Sequence, residues 1–129
     1  MERTERNITV VVIDDDRHVR EFLRLTLDAH GDTVHTATNG QEGLRLLQRI
    51  PRPAGILLDV GMPVMDGIQF LEARAAYPEL ADIPVIICTA DSAGIPEPIR
   101  RTYPVLHKPF KLAALRACMD ETFDSYAAL

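Results

Sequence analysis

The sequence predicts an α/β fold: a doubly wound, five-stranded parallel sheet with helices on both faces. Three observations lead there. Short, wholly apolar runs alternate with amphipathic stretches along the chain, and continuous apolar strands are those buried on both faces of a parallel sheet. The length of 129 residues suits one domain with its own core. Apolar residues make up 47% of the chain with no tryptophan among them, so the core is expected to be aliphatic.

The elements follow in order. "ITVVVID" (8–14) is the first strand. "RHVREFLRLTLDAHG" (17–31) is a helix with Val19, Phe22, Leu23, Thr26 and Leu27 on one face, stopped at Gly31. "DTVHTA" (32–37) is a weaker second strand, and "NGQEGLRLLQRI" (39–50) a helix with Leu44, Leu47 and Ile50 inward, halted by Pro51. "AGILLDV" (54–60) is the third strand, and "DGIQFLEARAAY" (66–77) a helix capped by Asp66 and followed by Pro78. "PVIICTA" (84–90) and "PVL" (104–106) are the fourth and fifth strands. Between them, "DSAGIPEPIRRTYP" (91–104) carries Pro96, Pro98 and Pro104. A full helix there would cost about 3 kcal/mol at each interior proline. The expectation is a loop from Asp91 to Glu97, then at most two helical turns from Pro98 to Tyr103. The segment 110–129 holds a closing helix with Leu112, Leu115, Met119 and Tyr126 on one stripe.

Several function classes are set aside by composition. The apolar runs are too short to span a bilayer, and "MERTERN" is no signal segment. The expected location is cytoplasmic, with no membrane partner. A net charge of -5, with Arg100-Arg101 the one close basic pair, argues against direct nucleic-acid binding. Cys88 and Cys118 lie in apolar patterns and read as buried, reduced thiols.

The chemistry is expected at strand ends. In doubly wound sheets ligands bind outside the carboxyl ends of the strands. The first strand runs into Asp14, Asp15 and Asp16, the third into Asp59, the fourth into Thr89 and the fifth into Lys108. Adjacent carboxylates raise one another's pKa, a cost that a bound cation removes. Carboxylates at a strand edge suit Mg²⁺, which takes one or two of them and keeps several waters. A carboxylate nucleophile, a metal, a hydroxyl and an ammonium together suit the handling of a phosphoryl group.

Four blocks, "VVVIDDDRHVR", "LLDVGMPVMDG", "IICTA" and "HKPF", resemble in order the signatures of the response-regulator receiver domain of two-component signalling. The resemblance covers roughly residues 8–125 and implies a flavodoxin-like strand order, 2-1-3-4-5, in one receiver domain over residues 1–129, either standing alone or cut from a longer protein. It implies that Asp59 accepts a phosphoryl group in a Mg²⁺-dependent reaction, with Asp15 ligating the metal directly, Asp14 through water and Gly61 through its carbonyl. Thr89 matches the switch hydroxyl, Ala90 the small residue beside it, and Lys108 the lysine that pairs with the phosphoryl group. Pro109 matches a proline usually preceded by a cis peptide. Met62, Pro63, Asp66 and Gly67 match the turn and helix cap after the acceptor. The implied partners are a histidine kinase or phosphotransferase and a downstream effector; no oligomeric state is implied. Asp16 reads as a helix cap or loop residue, and His107 as pointing away from the crevice.

Two departures from the family pattern stand out. Val105 occupies the place of an aromatic residue three before the lysine, with Tyr103 the nearest ring, and the stretch 91–104 is short and proline-rich. Two other functions compete. A Mg²⁺-dependent phosphohydrolase often carries an aspartate two positions after its nucleophile, where this chain has Gly61. An interaction module that has lost phosphorylation would not be expected to retain Asp14, Asp15, Asp59, Thr89 and Lys108 together.

Overall fold

The computed structural model describes residues 8–124. The strands are β1 (Thr9–Ile13), β2 (Thr33–Ala37), β3 (Gly55–Leu58), β4 (Val85–Thr89) and β5 (Val105–His107). They form one sheet in the order β2-β1-β3-β4-β5, every neighbouring pair parallel. The helices are α1 (Arg17–Asp28), α2 (Gly40–Leu47), α3 (Gly67–Arg74), α4 (Glu97–Thr102) and α5 (Leu112–Met119), the last continued by a wider π turn over Asp120–Asp124. The expected fold class and strand order are those observed.

Alternation along the strands divides the core in two. Val11, Ile13, Ile56, Leu58, Val85 and Ile87 face one side, where Leu44 and Leu47 of α2 and Phe70 and Leu71 of α3 cover them. Val10, Val12, Leu57, Ile86 and Cys88 face the other, under Leu23 and Leu27 of α1, Leu115 and Met119 of α5, and Phe123. Each aliphatic side chain fully removed from water contributes about 1.5–3 kcal/mol. Gly55 is required by this packing: a Cβ there would sit 2.1 Å from the Phe123 ring.

The helix starts follow from their caps. Asp16 accepts the His18 and Val19 amides at the start of α1, Asn39 the Glu42 amide at α2, and Asp66 forms a reciprocal capping box with Gln69 at α3. Gly31 follows α1 with φ 94°, a conformation that favours glycine.

Some expectations need correction. Phe22 is not inward; it is 51% exposed. The inward stripe of α1 runs Val19–Leu23–Leu27 at four-residue spacing, which leaves Phe22 on its flank. Cys118 is only half-buried, whereas Cys88 is buried as expected. The proline-rich stretch forms a 3-10 turn at Ser92–Gly94 and then α4, with Pro96 as its cap and Pro98 in its first turn, one residue earlier than expected. Tyr126 lies outside the described residues. Among the described residues no helix is long and apolar enough to cross a membrane.

Candidate functional site

The parallel ladders extend one residue past the strands and thereby assemble the site. The Asp14 amide donates to Ala37 O at 3.1 Å, the Asp59 amide to Ile13 O at 2.9 Å, and the Lys108 amide to Thr89 O at 2.7 Å. Three polar residues from three different strands are thus fixed by backbone hydrogen bonds before any side chain is considered. Asp15, Asp59, Gly61, Thr89 and Lys108 line one crevice of about 380 Å³, with Asp16, Val60, Ala90, Asp91 and Gly94 completing its walls. Carboxylate oxygens of Asp14, Asp15 and Asp59 lie within 4.8 Å of one another.

Asp14 is buried and heavily bonded. Its Oδ1 accepts the Asp16 amide at 2.9 Å and its Oδ2 accepts Lys108 Nζ at 2.7 Å. Its carbonyl accepts Arg20 Nη1 at 2.9 Å. Asp15, by contrast, is exposed and faces the crevice. Asp59 is buried; its Oδ1 lies 3.7 Å from Lys108 Nζ and 3.5 Å from the Gly61 amide. No atom lies within 4 Å of where a Gly61 Cβ would be, so that side of the loop is open. Thr89 is buried, and its hydroxyl oxygen accepts the Asp91 amide at 3.2 Å.

The electrostatics follow from this geometry. Burial raises the Asp59 pKa first, the Asp14 charge adds to the rise, and the Lys108 charge and Gly61 amide oppose it. Burial outweighs the repulsion that the sequence brings to notice. For Lys108, burial pulls the pKa down, but the Asp14 hydrogen bond and the charges of Asp14 and Asp59 outweigh it, and the net shift is upward. The ammonium is therefore retained. Cys88, behind Thr89 on the opposite face of β4, has its thiol pushed up to about 12 by burial.

The loop after Asp59 is held by a close approach. A Cβ on Gly67 would lie 2.6 Å from Asp59 O and 2.7 Å from Val60 Cα, so α3 can start against the acceptor loop only with glycine there. The Lys108-Pro109 peptide is cis. His107 is exposed and directed away from the crevice, its Nδ1 3.2 Å from Ser92 Oγ. Asp14, Asp15, Asp59, Gly61, Thr89 and Lys108, the residues expected to carry the chemistry, are brought together here. Arg20 was not among them: an arginine on the first turns of an amphipathic helix has no pattern marking it as a support of the acidic loop.

A second, apolar groove of about 490 Å³ adjoins the crevice. His18, Val19 and Phe22 of α1 form one wall, Pro109 and Phe110 the other, and Ala90 and Lys108 are shared with the crevice.

Residues 10–120 match the response regulator receiver domain. The chain is 36% identical to the response regulator MprA of Mycobacterium ulcerans (strain Agy99) over 94% of its own length and 57% of that protein's. It is 37% identical to MprA of Mycolicibacterium vanbaalenii over 64% of its own length and 35% of that protein's. The chain thus spans little more than half, or only a third, of these curated relatives. Among solved structures it resembles the signal receiver domain of a signal transduction histidine kinase from Syntrophus aciditrophicus, with a TM-score of 0.78, 28% identity and coverage of 92% of this chain and 91% of that one. It also resembles the chemotaxis response regulator CheY4 of Vibrio cholerae, with a TM-score of 0.77, 27% identity and coverage of 90% and 98%.

Proposed function

The chain belongs to the response regulator receiver domain family, and from that premise we propose that Asp59 is its phosphoacceptor. The observation that carries this reading is the Asp59 carboxylate itself, buried at the floor of the crevice and flanked by Lys108, Thr89 and the open Gly61 loop. A carboxylate oxygen of Asp59 attacks phosphorus; the bond from phosphorus to the donor nitrogen or oxygen breaks, and the donor leaves with the electron pair. Lys108 lies close enough to neutralise charge on the phosphoryl oxygens. Thr89 supplies a hydroxyl that the Asp91 amide leaves free to donate, because that amide uses only the oxygen's acceptor capacity.

The acidic cluster fits Mg²⁺ in its donor set: hard carboxylate oxygens, one exposed, beside an unobstructed loop. Asp15 and Asp59 would ligate it directly, with the Gly61 carbonyl. Asp14, whose two oxygens already serve Asp16 and Lys108, would act through water. When bound, Mg²⁺ supplies charge neutralisation on the phosphoryl oxygens. The protein promotes its own phosphorylation and hydrolysis and turns over no separate substrate. The phosphohydrolase reading loses support from Gly61 at the position of the general acid, and the decayed-module reading from the completeness of the cluster.

The donor is a phosphohistidine protein, a histidine kinase or phosphotransferase, and a downstream effector reads the result. The apolar groove beside the crevice supports a protein donor, because its shared residues Ala90 and Lys108 put a seated partner next to Asp59.

Incubation with Mg²⁺ and acetyl phosphate is expected to add one phosphoryl mass to the wild type and none to Asp59→Asn, read by intact-protein mass spectrometry. Equal incorporation in both would remove Asp59 from this role. Phe22→Glu is expected to slow transfer from a cognate kinase at least about tenfold, as loss of a buried apolar anchor does, and to leave acetyl phosphate incorporation unchanged. A parallel loss with both donors would count against the groove as a docking surface.

A further inference from the structure

Arg74, the last residue of α3, is 4% exposed; the Asp82 carboxylate interacts with its charge, and the hydrogen bonds given for its guanidinium go to neutral oxygens. Buried guanidinium groups are costly unless their hydrogen bonds are met. Its Nη2 donates to Ile83 O at 2.7 Å, just before β4, and its Nη1 to the Tyr103 hydroxyl at 3.2 Å, while Nε has no partner. The guanidinium carbon also stands 5.9 Å from the centre of the Tyr103 ring, within cation–π range. One side chain thus joins the end of α3, the entry to β4 and the end of α4.

That junction lies at the amino edge of the sheet, opposite the crevice. Tyr103 caps α4 and precedes β5, and its amide donates to Ile99 O at 3.0 Å. The 3-10 turn that leads into the other end of α4 lines the crevice through Asp91 and Gly94. Between its ends α4 is loosely seated: none of its residues is fully buried, and a groove of about 510 Å³ opens along it between Ser92, Arg100, Tyr103, Val105 and His107. With Val105 where an aromatic ring is expected, Tyr103 supplies the ring nearest to it in the chain, and Arg74 holds it.

We propose that Arg74 and Tyr103 form a pivot that anchors the C-terminal end of α4, so that a change at the crevice moves the segment 91–97 about a stationary Tyr103. The device rests on the reading of the crevice given above for its trigger, but its anchor exists without one. A tethered tyrosine at the remote end thus does the work of a ring that travels between pockets.

The test uses the whole chain and residue-resolved amide exchange, alone and with Mg²⁺ plus beryllofluoride as the phosphoryl mimic. In wild type the Arg100 and Tyr103 amides are expected to exchange at least about tenfold more slowly than those of Gly94 and Ile95, and only the latter pair to slow with the mimic. Arg74→Met, apolar and of similar length, and Tyr103→Phe, which removes only the hydroxyl, are each expected to bring the Tyr103 amide to within a few-fold of Ile95. The same melting temperature with lost protection at Tyr103 separates a local pivot from general destabilisation. Equal exchange at both ends of α4 in wild type, or unchanged Tyr103 protection in both variants, would overturn the pivot. Absence of any response to the mimic alongside an intact gradient would overturn the phosphoacceptor reading of the crevice and leave the anchor standing.

Discussion

The two walls of the crevice are built differently. On the β1 side, Asp14 alone takes part in four hydrogen bonds, to Ala37, Asp16, Arg20 and Lys108, and Asp16 is locked in place as the cap of α1. On the β4 side, the rim from Asp91 to Gly94 is a single 3-10 turn, tied by the Asp91 amide to Thr89, by Gly94 to the Asp91 side chain, and by an exposed Ser92–His107 contact. The first wall has to hold like charges in a fixed array, which demands preorganised partners. Under the proposed function the second changes when the array changes, and such segments come from the weakly held end of a fold.

The contrast can be attacked from the rigid side first. Arg20→Met removes the guanidinium from the Asp14 carbonyl. If Arg20 supports the acidic loop, Mg²⁺ affinity by calorimetric titration is expected to fall about tenfold, as when second-layer supports of metal ligands are lost. If it were merely a nearby positive charge, its removal would tighten Mg²⁺ binding instead.

Charge within the rigid wall has a measurable cost. The Asp59 pKa lies above its ordinary 3.8, so ionising Asp59 costs more in the fold than in the unfolded chain. Its contribution to stability is greatest below the unfolded-state pKa and is lost as pH rises through the raised value. Without Mg²⁺, Asp59→Asn is expected to melt above wild type at neutral pH, with the gap closing as pH falls through the raised pKa toward 3.8. A gap that does not change with pH would refute the electrostatic origin.

The smallest effect is expected on the loose side. Ser92→Ala deletes an exposed hydrogen bond to His107, at a cost below about 1 kcal/mol. Amide exchange at Gly94 and Ile95 is expected to rise a few-fold with little change in melting temperature. A large drop in melting temperature would mean the β4 wall is as tightly integrated as the β1 wall.

What the sequence reveals divides along a different line, between local pattern and tertiary contact. Strands and their terminal Asp14, Asp59, Thr89 and Lys108 are legible because a polar residue ending an apolar run is a local pattern, and parallel pairing turns those ends into one edge. The shortened α4 is legible because proline acts locally. Arg20, Arg74 and Phe22 are not, for each depends on a partner outside its own helix: a carbonyl of the preceding loop, a tyrosine 29 residues on, and the Pro109–Phe110 wall. Helical spacing alone reads Phe22 as core, since nothing in α1 tells its flank from its center.

Cys88 gives the fold a clock. Its thiol is buried behind Thr89, with its pKa pushed to about 12, so it is almost wholly protonated and screened from electrophiles while β4 is packed. Released into water, a cysteine ionises near its usual value and alkylates readily. Half-buried Cys118 would be labelled earlier and serve as an internal reference. The lag between the two adducts would time the opening of the central sheet one residue from Thr89, with no probe added to the chain.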